Sequence, residues 1–264
     1  MLRASACATW SLVFELILQD LSSIFNIRQN EMVAENLQIV RQRVTETCRR
    51  CGRAANDVLL LAVSKTFSPE NVREAIAGGQ RDFGENYVQE LLAKREVLTQ
   101  EPLRWHFIGH LQTNKVRSIV GCVHLIHSVD SFRLAEEIHK RAERLGRPVD
   151  ILIEVHTTDE ATKFGVAPAK TLDLIREIAR LDRVSVKGLM TMGPFSDDPN
   201  DSRPAFRQLR ELRTRIEEEA IPGVRMEHLS MGMTHDFEVA IEEGATIVRI
   251  GTAIFGKRRR PSES

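Results

Sequence analysis

The sequence predicts a single (β/α)8 barrel of the TIM type, and three observations carry that prediction. Between residues 33 and 256, eight short apolar runs alternate with helical patterns, an order that implies a parallel sheet with right-handed crossovers. Eight is also the number of strands that closes such a sheet on itself, and 264 residues suit the roughly 250 that one barrel needs. The first run, Leu59-Leu60-Leu61-Ala62-Val63-Ser64, lacks a polar face, as strands covered on both sides do.

The elements follow in order. From Val33 to Cys51, Leu37, Val40, Val44 and Cys48 recur at steps of three and four, an amphipathic helix ahead of the first strand. The strand Leu59–Lys65 leads to a helix Glu70–Ala77, with Ser68 as N-cap and Gly78-Gly79 to close it. Further strand and helix pairs are expected at 81–86 and 87–97, 105–110 and 114–120, and 124–130 and 131–145. The remaining pairs fall at 149–156 and 167–181, 184–192 and 203–219, and 225–231 and 236–243, with a final strand at 246–250. No long helix follows that strand, so the helix at 33–51 is expected to complete the outer ring.

Residues 32–257 are thereby assigned to the barrel, 1–31 to a weakly ordered appendage and 258–264 to a basic tail. In the appendage Glu15 and Asp20 interrupt the apolar residues, which fits neither a membrane span nor a signal peptide. Apolar content of 42%, charged content of 28% and zero formal net charge describe an ordinary globular chain with no basic field for nucleic acid. Four cysteines are few; Cys48 and Cys51 form a C-x-x-C without a second pair, so neither zinc nor disulfides are expected. A reducing cytoplasm fits best, with no membrane partner and a monomeric state.

In a barrel, catalytic and binding groups collect at the carboxyl ends of the strands. Lys65, Asn86, His110, Asp130, His156, Met192, Ser230 and the Gly251-Thr252 turn all fall there. Lys65 shares parity with Leu61 and Val63 and ends the most apolar strand. Desolvation favours the neutral amine that Schiff-base chemistry requires; the plainer reading is a lysine marking a strand end. Arg249 lies inside an apolar strand and needs a polar partner there. Gly251-Thr252 and the stretch Ser230-Met231-Gly232-Met233-Thr234 end neighbouring strands, where amides and hydroxyls can cradle a phosphate. Alternatively, Thr234 caps the next helix.

Several stretches together resemble the pyridoxal phosphate (PLP) homeostasis proteins, relatives by fold of the alanine racemase barrel. They are Leu61-Ala62-Val63-Ser64-Lys65-Thr66, Phe83-Gly84-Glu85-Asn86-Tyr87-Val88-Gln89-Glu90 and Trp105-His106-Phe107-Ile108-Gly109-His110 running on to Lys115. Gly188-Leu189-Met190-Thr191-Met192, Leu229-Ser230-Met231-Gly232-Met233 and Val248-Arg249-Ile250-Gly251-Thr252 complete them, in order. The resemblance implies pyridoxal 5'-phosphate held as an aldimine on Lys65, with Arg249 facing the pyridine nitrogen. It further implies Thr234, Gly251 and Thr252 on the phosphate and Asn86 near the ring. Where Thr234 stands the family more often has serine, which keeps the hydroxyl. Residues 1–31 fall outside the pattern.

Arginine has no acceptor, so Arg249 would keep the pyridine nitrogen unprotonated and weaken the ring as an electron sink. That disfavours aminotransferase chemistry. Racemisation needs an acid or base on both faces of the substrate carbon, and the single tyrosine, Tyr87, opens a helix. His106, His110 and His156 are the other acid–base candidates. With eight residues after Gly256 and no second domain to roof the cofactor, the expectation is a carrier and buffer of PLP that supplies apo-enzymes without turnover. The alternatives are a PLP-dependent racemase or lyase, and a barrel for another phosphorylated ligand in which Lys65 is a counter-charge.

Overall fold

The computed structural model describes residues 32–99, 101–158 and 164–257. The proposed appendage and the basic tail lie outside the described residues. Helix α1 covers residues 32–50, and β1 (Leu59–Val63), α2 (Pro69–Ala77), β2 (Asp82–Glu85), α3 (Val88–Val97) and β3 (Arg104–Phe107) follow. Next come α4 (Val116–Ile119), β4 (Leu125–Val129), α5 (Phe132–Leu145), β5 (Val149–Glu154), α6 (Pro168–Ile178) and β6 (Val184–Met190). The last elements are α7 (Arg203–Glu218), β7 (His228–Ser230), α8 (Phe237–Glu242), β8 (Ile247–Ile250) and α9 (Thr252–Phe255). The strands form a closed barrel in chain order, all parallel, with β8 paired back on β1 from Leu59↔Ile247 to Ala62↔Ile250.

Alternation along each strand divides the apolar residues between two cores. Leu61, Leu125, Leu152, Met190 and Ile247 fill the barrel interior, whereas the larger cluster lies between strands and helices. Helix α1 completes the outer ring by burying Leu37, Val40, Val44 and Cys48. Its polar edges tie it to both neighbours. Arg41 Nη1 donates to the Gly78 carbonyl at 2.6 Å, Asn36 Nδ2 to the Ile254 carbonyl at 3.1 Å, and Arg43 Nε to Glu238 at 3.2 Å.

Two elements depart from expectation. The fourth helix is one turn of 3-10 helix at Thr113–Lys115 followed by four α-helical residues. The seventh strand is three residues long and begins where His228 pairs with Gly188 of β6. Gly188 has φ +150°, and a Cβ there would stand 1.9 Å from the His228 carbonyl oxygen, so only glycine allows the strands to approach. Just before it, Ile151 pairs with Val186 and Leu152 with Gly188, which leaves Lys187 in a bulge. Among the described residues, no helix is long and apolar enough to cross a membrane, and no group of three His, Cys, Asp or Glu side chains is arranged to hold a metal.

Candidate functional site

Lys65 leaves β1 half-buried, between two anchored neighbours. On one side Ser64 is fully buried; its hydroxyl donates to Glu85 Oε1 at 2.6 Å, and its carbonyl accepts from Lys94 Nζ at 2.6 Å. Lys94 Nζ also meets Glu85 Oε1 at 2.6 Å. Burial pushes the Glu85 carboxyl upward, against the pull of Lys94 and Ser64. On the other side Thr66 takes φ +68°, a conformation that costs a β-branched residue about 1–2 kcal/mol. Glu90 Oε2 offsets that cost by accepting the Thr66 N–H at 2.6 Å. The lysine therefore sits on a turn held at both ends.

Asn86 follows β2 on the same rim, half-buried, and its Oδ1 is buried without a hydrogen-bond partner. Beside it Gly109 allows a close passage of chains, since a Cβ there would fall 2.2 Å from the Asn86 carbonyl oxygen. His110 is exposed and stacks on Phe164, ring centroids 3.8 Å apart. His156 is half-buried, and its Nε2 also lacks a partner. Tyr87 is 53% exposed at the N-cap of α3.

Arg249 is 4% exposed inside the barrel, and it has the polar partners that its position demanded. Its Nη1 donates to Ser230 Oγ and its Nη2 to the Thr191 carbonyl, each at 2.8 Å. Burial lowers the guanidinium to about 10, with Asp236 and Glu154 opposing, so it stays charged at neutral pH. Glu154, at the end of β5 and 4% exposed, is raised to about 7 by burial and by Asp130, with Arg249 opposing. Two of the five N–H donors that arginine carries are used in these bonds, leaving donor capacity for a ring nitrogen.

Thr234, Gly251 and Thr252 converge beside β1. Thr234 Oγ1 accepts from the Ala253 N–H at 3.4 Å, which joins the loop after β7 to the start of α9. A Cβ on Gly251 would stand 3.1 Å from the Val63 carbonyl oxygen, so the turn rests directly on the strand that carries Lys65. The loop is braced from below. Asp236, the N-cap of α8, accepts from the Met233 N–H at 2.6 Å and from Ser202 Oγ at 2.7 Å. Asp236 rather than Thr234 holds the N-cap position, and its side chain is spent on the loop and on Ser202 instead of on helix amides. Ser230, expected among the cofactor contacts, is fully buried, and its hydroxyl is engaged by Arg249 and by His127 Nδ1 at 2.9 Å.

This donor set fits a flat, phosphorylated pyridine aldehyde. An amine, a donor-only cation and two hydroxyls beside a glycine turn stand on β1, β7 and β8, which are consecutive around the barrel. His106 is neither near the rim nor positioned as an acid or base there; it is buried with Nδ1 2.9 Å from His127 Nε2. Sequence reasoning missed Glu85, Lys94, Glu154 and His127. Lys94 stands four residues after Glu90 and reads as one half of a surface ion pair. Its burial is visible only once Glu85 is placed behind it.

The alanine racemase N-terminal domain family matches residues 34–259. A pyridoxal phosphate homeostasis protein of Aquifex aeolicus is 51% identical over 225 residues, covering 85% of this chain and 98% of that protein. One of Pseudomonas aeruginosa is 41% identical over 226 residues, covering 86% and 96%. Among solved structures, PipY of Synechococcus elongatus with PLP bound is similar at TM-score 0.75 and 36% identity, covering 85% of this chain and 100% of that one. Alanine racemase of Corynebacterium glutamicum, at TM-score 0.68 and 14% identity over 87% of this chain and 62% of its own, shares the fold.

Proposed function

The chain belongs to the pyridoxal phosphate homeostasis proteins, and from that premise we propose that it binds pyridoxal 5'-phosphate at the β1–β8 rim, buffers it, and releases it to apo-enzymes in the cytoplasm. The observation that carries the reading is the contact between the two strand ends. Gly251 rests on the Val63 carbonyl, so the phosphate turn and the lysine two residues beyond Val63 belong to one small surface. Arg249 lies one β8 step below that turn, paired with Leu61.

In this reading Lys65 would hold the cofactor through its aldehyde, with water as the group released. Thr234 and Thr252, with the amides of the Gly251-Thr252 turn, hold the phosphate. Asn86 lies beside the ring, where its unpartnered Oδ1 gains a use. Arg249 would face the ring nitrogen as a donor; because it cannot accept a proton, it would favour the unprotonated ring. Bound PLP supplies electron-sink chemistry in enzymes, and a donor-only partner weakens it here. The exposed rim favours exchange of the whole cofactor, and the protein acts as a monomer.

The experiment mixes PLP-loaded protein with a PLP-dependent apo-enzyme and follows recovered activity, alongside incubation of the loaded protein with single-enantiomer amino acids in deuterated water. Recovery without α-deuteration is expected. Catalytic α-deuteration or racemisation that vanishes in Lys65→Ala would overturn the carrier reading in favour of an amino-acid racemase or lyase.

A further inference from the structure

The barrel interior contains a continuous polar chain between its floor and Arg249, which the reading above does not use. Arg104, at the entrance to β3, meets both carboxylate oxygens of Asp82 on β2, Nε to Oδ1 at 2.6 Å and Nη2 to Oδ2 at 2.5 Å. Asp82 Oδ1 lies 3.3 Å from His106 Nε2, and His106 Nδ1 lies 2.9 Å from His127 Nε2. His127 Nδ1 reaches Ser230 Oγ at 2.9 Å, and Ser230 Oγ reaches Arg249 at 2.8 Å. The contacts join β2, β3, β4, β7 and β8. Asp82, His106, His127 and Ser230 are all buried.

The direction of every bond follows from the two ends. Arginine can only donate, so Ser230 Oγ accepts from Arg249 and spends its own proton on His127 Nδ1. His127 is then the Nε2–H tautomer and donates to His106 Nδ1. By the same logic His106 carries its proton on Nε2 and donates to Asp82. Burial lowers both imidazoles, His127 the more strongly, which keeps each neutral as the scheme requires. Burial alone would raise Asp82, but hydrogen bonds from His106 and Arg104 outweigh it and hold the carboxyl below its usual range. The chain thus ends in a carboxylate that accepts from both sides. No proton can travel its length to the rim, because Arg249 has no lone pair to receive one. What it can transmit is orientation and polarity, since each bond strengthens the next.

We infer that Asp82, His106, His127 and Ser230 are positioning residues: a one-way hydrogen-bond chain that fixes the Arg249 guanidinium from the floor of the barrel as the donor to the cofactor's ring nitrogen. The inference rests on the PLP reading of the site. It also explains why the interior of this barrel gives up apolar volume at Asp82, His106 and His127, where filler side chains would pack at lower cost.

The test binds PLP labelled with 15N in the ring to the wild type and to His127→Leu, His127→Asn and Ser230→Ala, and reads the ring 15N signal, the phosphate 31P signal and the dissociation constant. His127→Leu removes the acceptor for Ser230. The expected result is a displaced 15N signal, an unchanged 31P signal and affinity lowered about tenfold, the equivalent of one hydrogen bond. His127→Asn restores an acceptor at the Nδ1 position and should return the 15N signal toward wild type. Should His127→Leu fail to fold, Ser230→Ala breaks the chain one link nearer Arg249 with a smaller change of volume and is expected to displace the 15N signal likewise. A 15N signal that moves in Arg249→Leu but in neither His127→Leu nor Ser230→Ala would overturn the inference and leave the PLP reading standing. A wild type that binds no PLP would overturn both.

Discussion

Lys94→Met is the perturbation whose cost the structure fixes most closely. The ammonium is 4% exposed, donates at 2.6 Å to Glu85 Oε1 and to the Ser64 carbonyl, and lies 3.6 Å from Glu90. Methionine keeps the length of the stem and removes the charge, leaving the fully buried Glu85 carboxylate with the Ser64 hydroxyl alone. Breaking such a pair from one side typically costs about 3–5 kcal/mol. Glu85 can limit the loss by taking a proton. For a carboxyl of ordinary pKa near 4.3, that proton costs about 3.7 kcal/mol at pH 7 and about 1.6 kcal/mol at pH 5.5, at 1.36 kcal/mol per unit. The orphaned Ser64 carbonyl adds about 1 kcal/mol at either pH. The variant should therefore lose about 4–5 kcal/mol at pH 7 and about 2–3 kcal/mol at pH 5.5. Urea unfolding of the cofactor-free chain, followed by circular dichroism at both pH values, measures this. Adding Glu85→Gln should recover most of the pH-dependent part. A loss below about 1 kcal/mol, or one of equal size at both pH values, would refute the reasoning.

Two further predictions concern the same rim. Because burial raises the folded-state pKa of Glu154 to about 7, the folded chain holds a proton there that the unfolded chain has released. The wild type should therefore lose up to about 3 kcal/mol as pH rises from 4.5 through 7. Glu154→Gln removes that slope, so its urea midpoint should exceed the wild type's at pH 8 and approach it at pH 5.5; parallel profiles would contradict the assignment. Gly109→Ala forces a Cβ to within 2.2 Å of the Asn86 carbonyl oxygen, a contact with backbone that no rotamer relieves. It should cost at least about 1–3 kcal/mol and weaken PLP by moving Asn86. Gly121→Ala, whose Cβ would meet only the Leu145 side chain at 3.6 Å, should stay within about 0.5 kcal/mol. Equal thermal shifts for the two alanines would count against the close passage at Gly109.

The barrel was legible because every strand has its interior and exterior residues sorted by parity, and the helices have their apolar stripes. Leu61, Val63 and Lys65 illustrate this: one alternation places two core residues and the amine. Boundaries were less legible where the tertiary partner decides them. Nothing local marks the start of the seventh strand at His228, where it pairs with Gly188. The strand pattern was enough to put Lys65, Asn86 and Gly251 at one rim and Arg249 inside the last strand. What joins them was not legible. The His127–Ser230 bond spans 103 positions, and the Ser64–Glu85 and His106–Asp82 bonds cross between strands. A histidine within an apolar run, such as His127 after Leu125 and Ile126, gives no local sign of the partner that a closed barrel brings to it. Ser230 likewise reads from its position as a strand-end hydroxyl, and its bond to Arg249 appears only once β7 and β8 are side by side.

The central claim, that Lys65 holds the cofactor, is tested most directly by treating the PLP-loaded chain with borohydride and mapping the fixed adduct by peptide mass spectrometry. Reduction converts the C=N bond to a stable amine, so the label marks the lysine that formed it. The phosphopyridoxyl mass is expected on the peptide containing Lys65 and is expected to be lost in Lys65→Ala. A label retained in that variant, or carried by another lysine in the wild type, would contradict it.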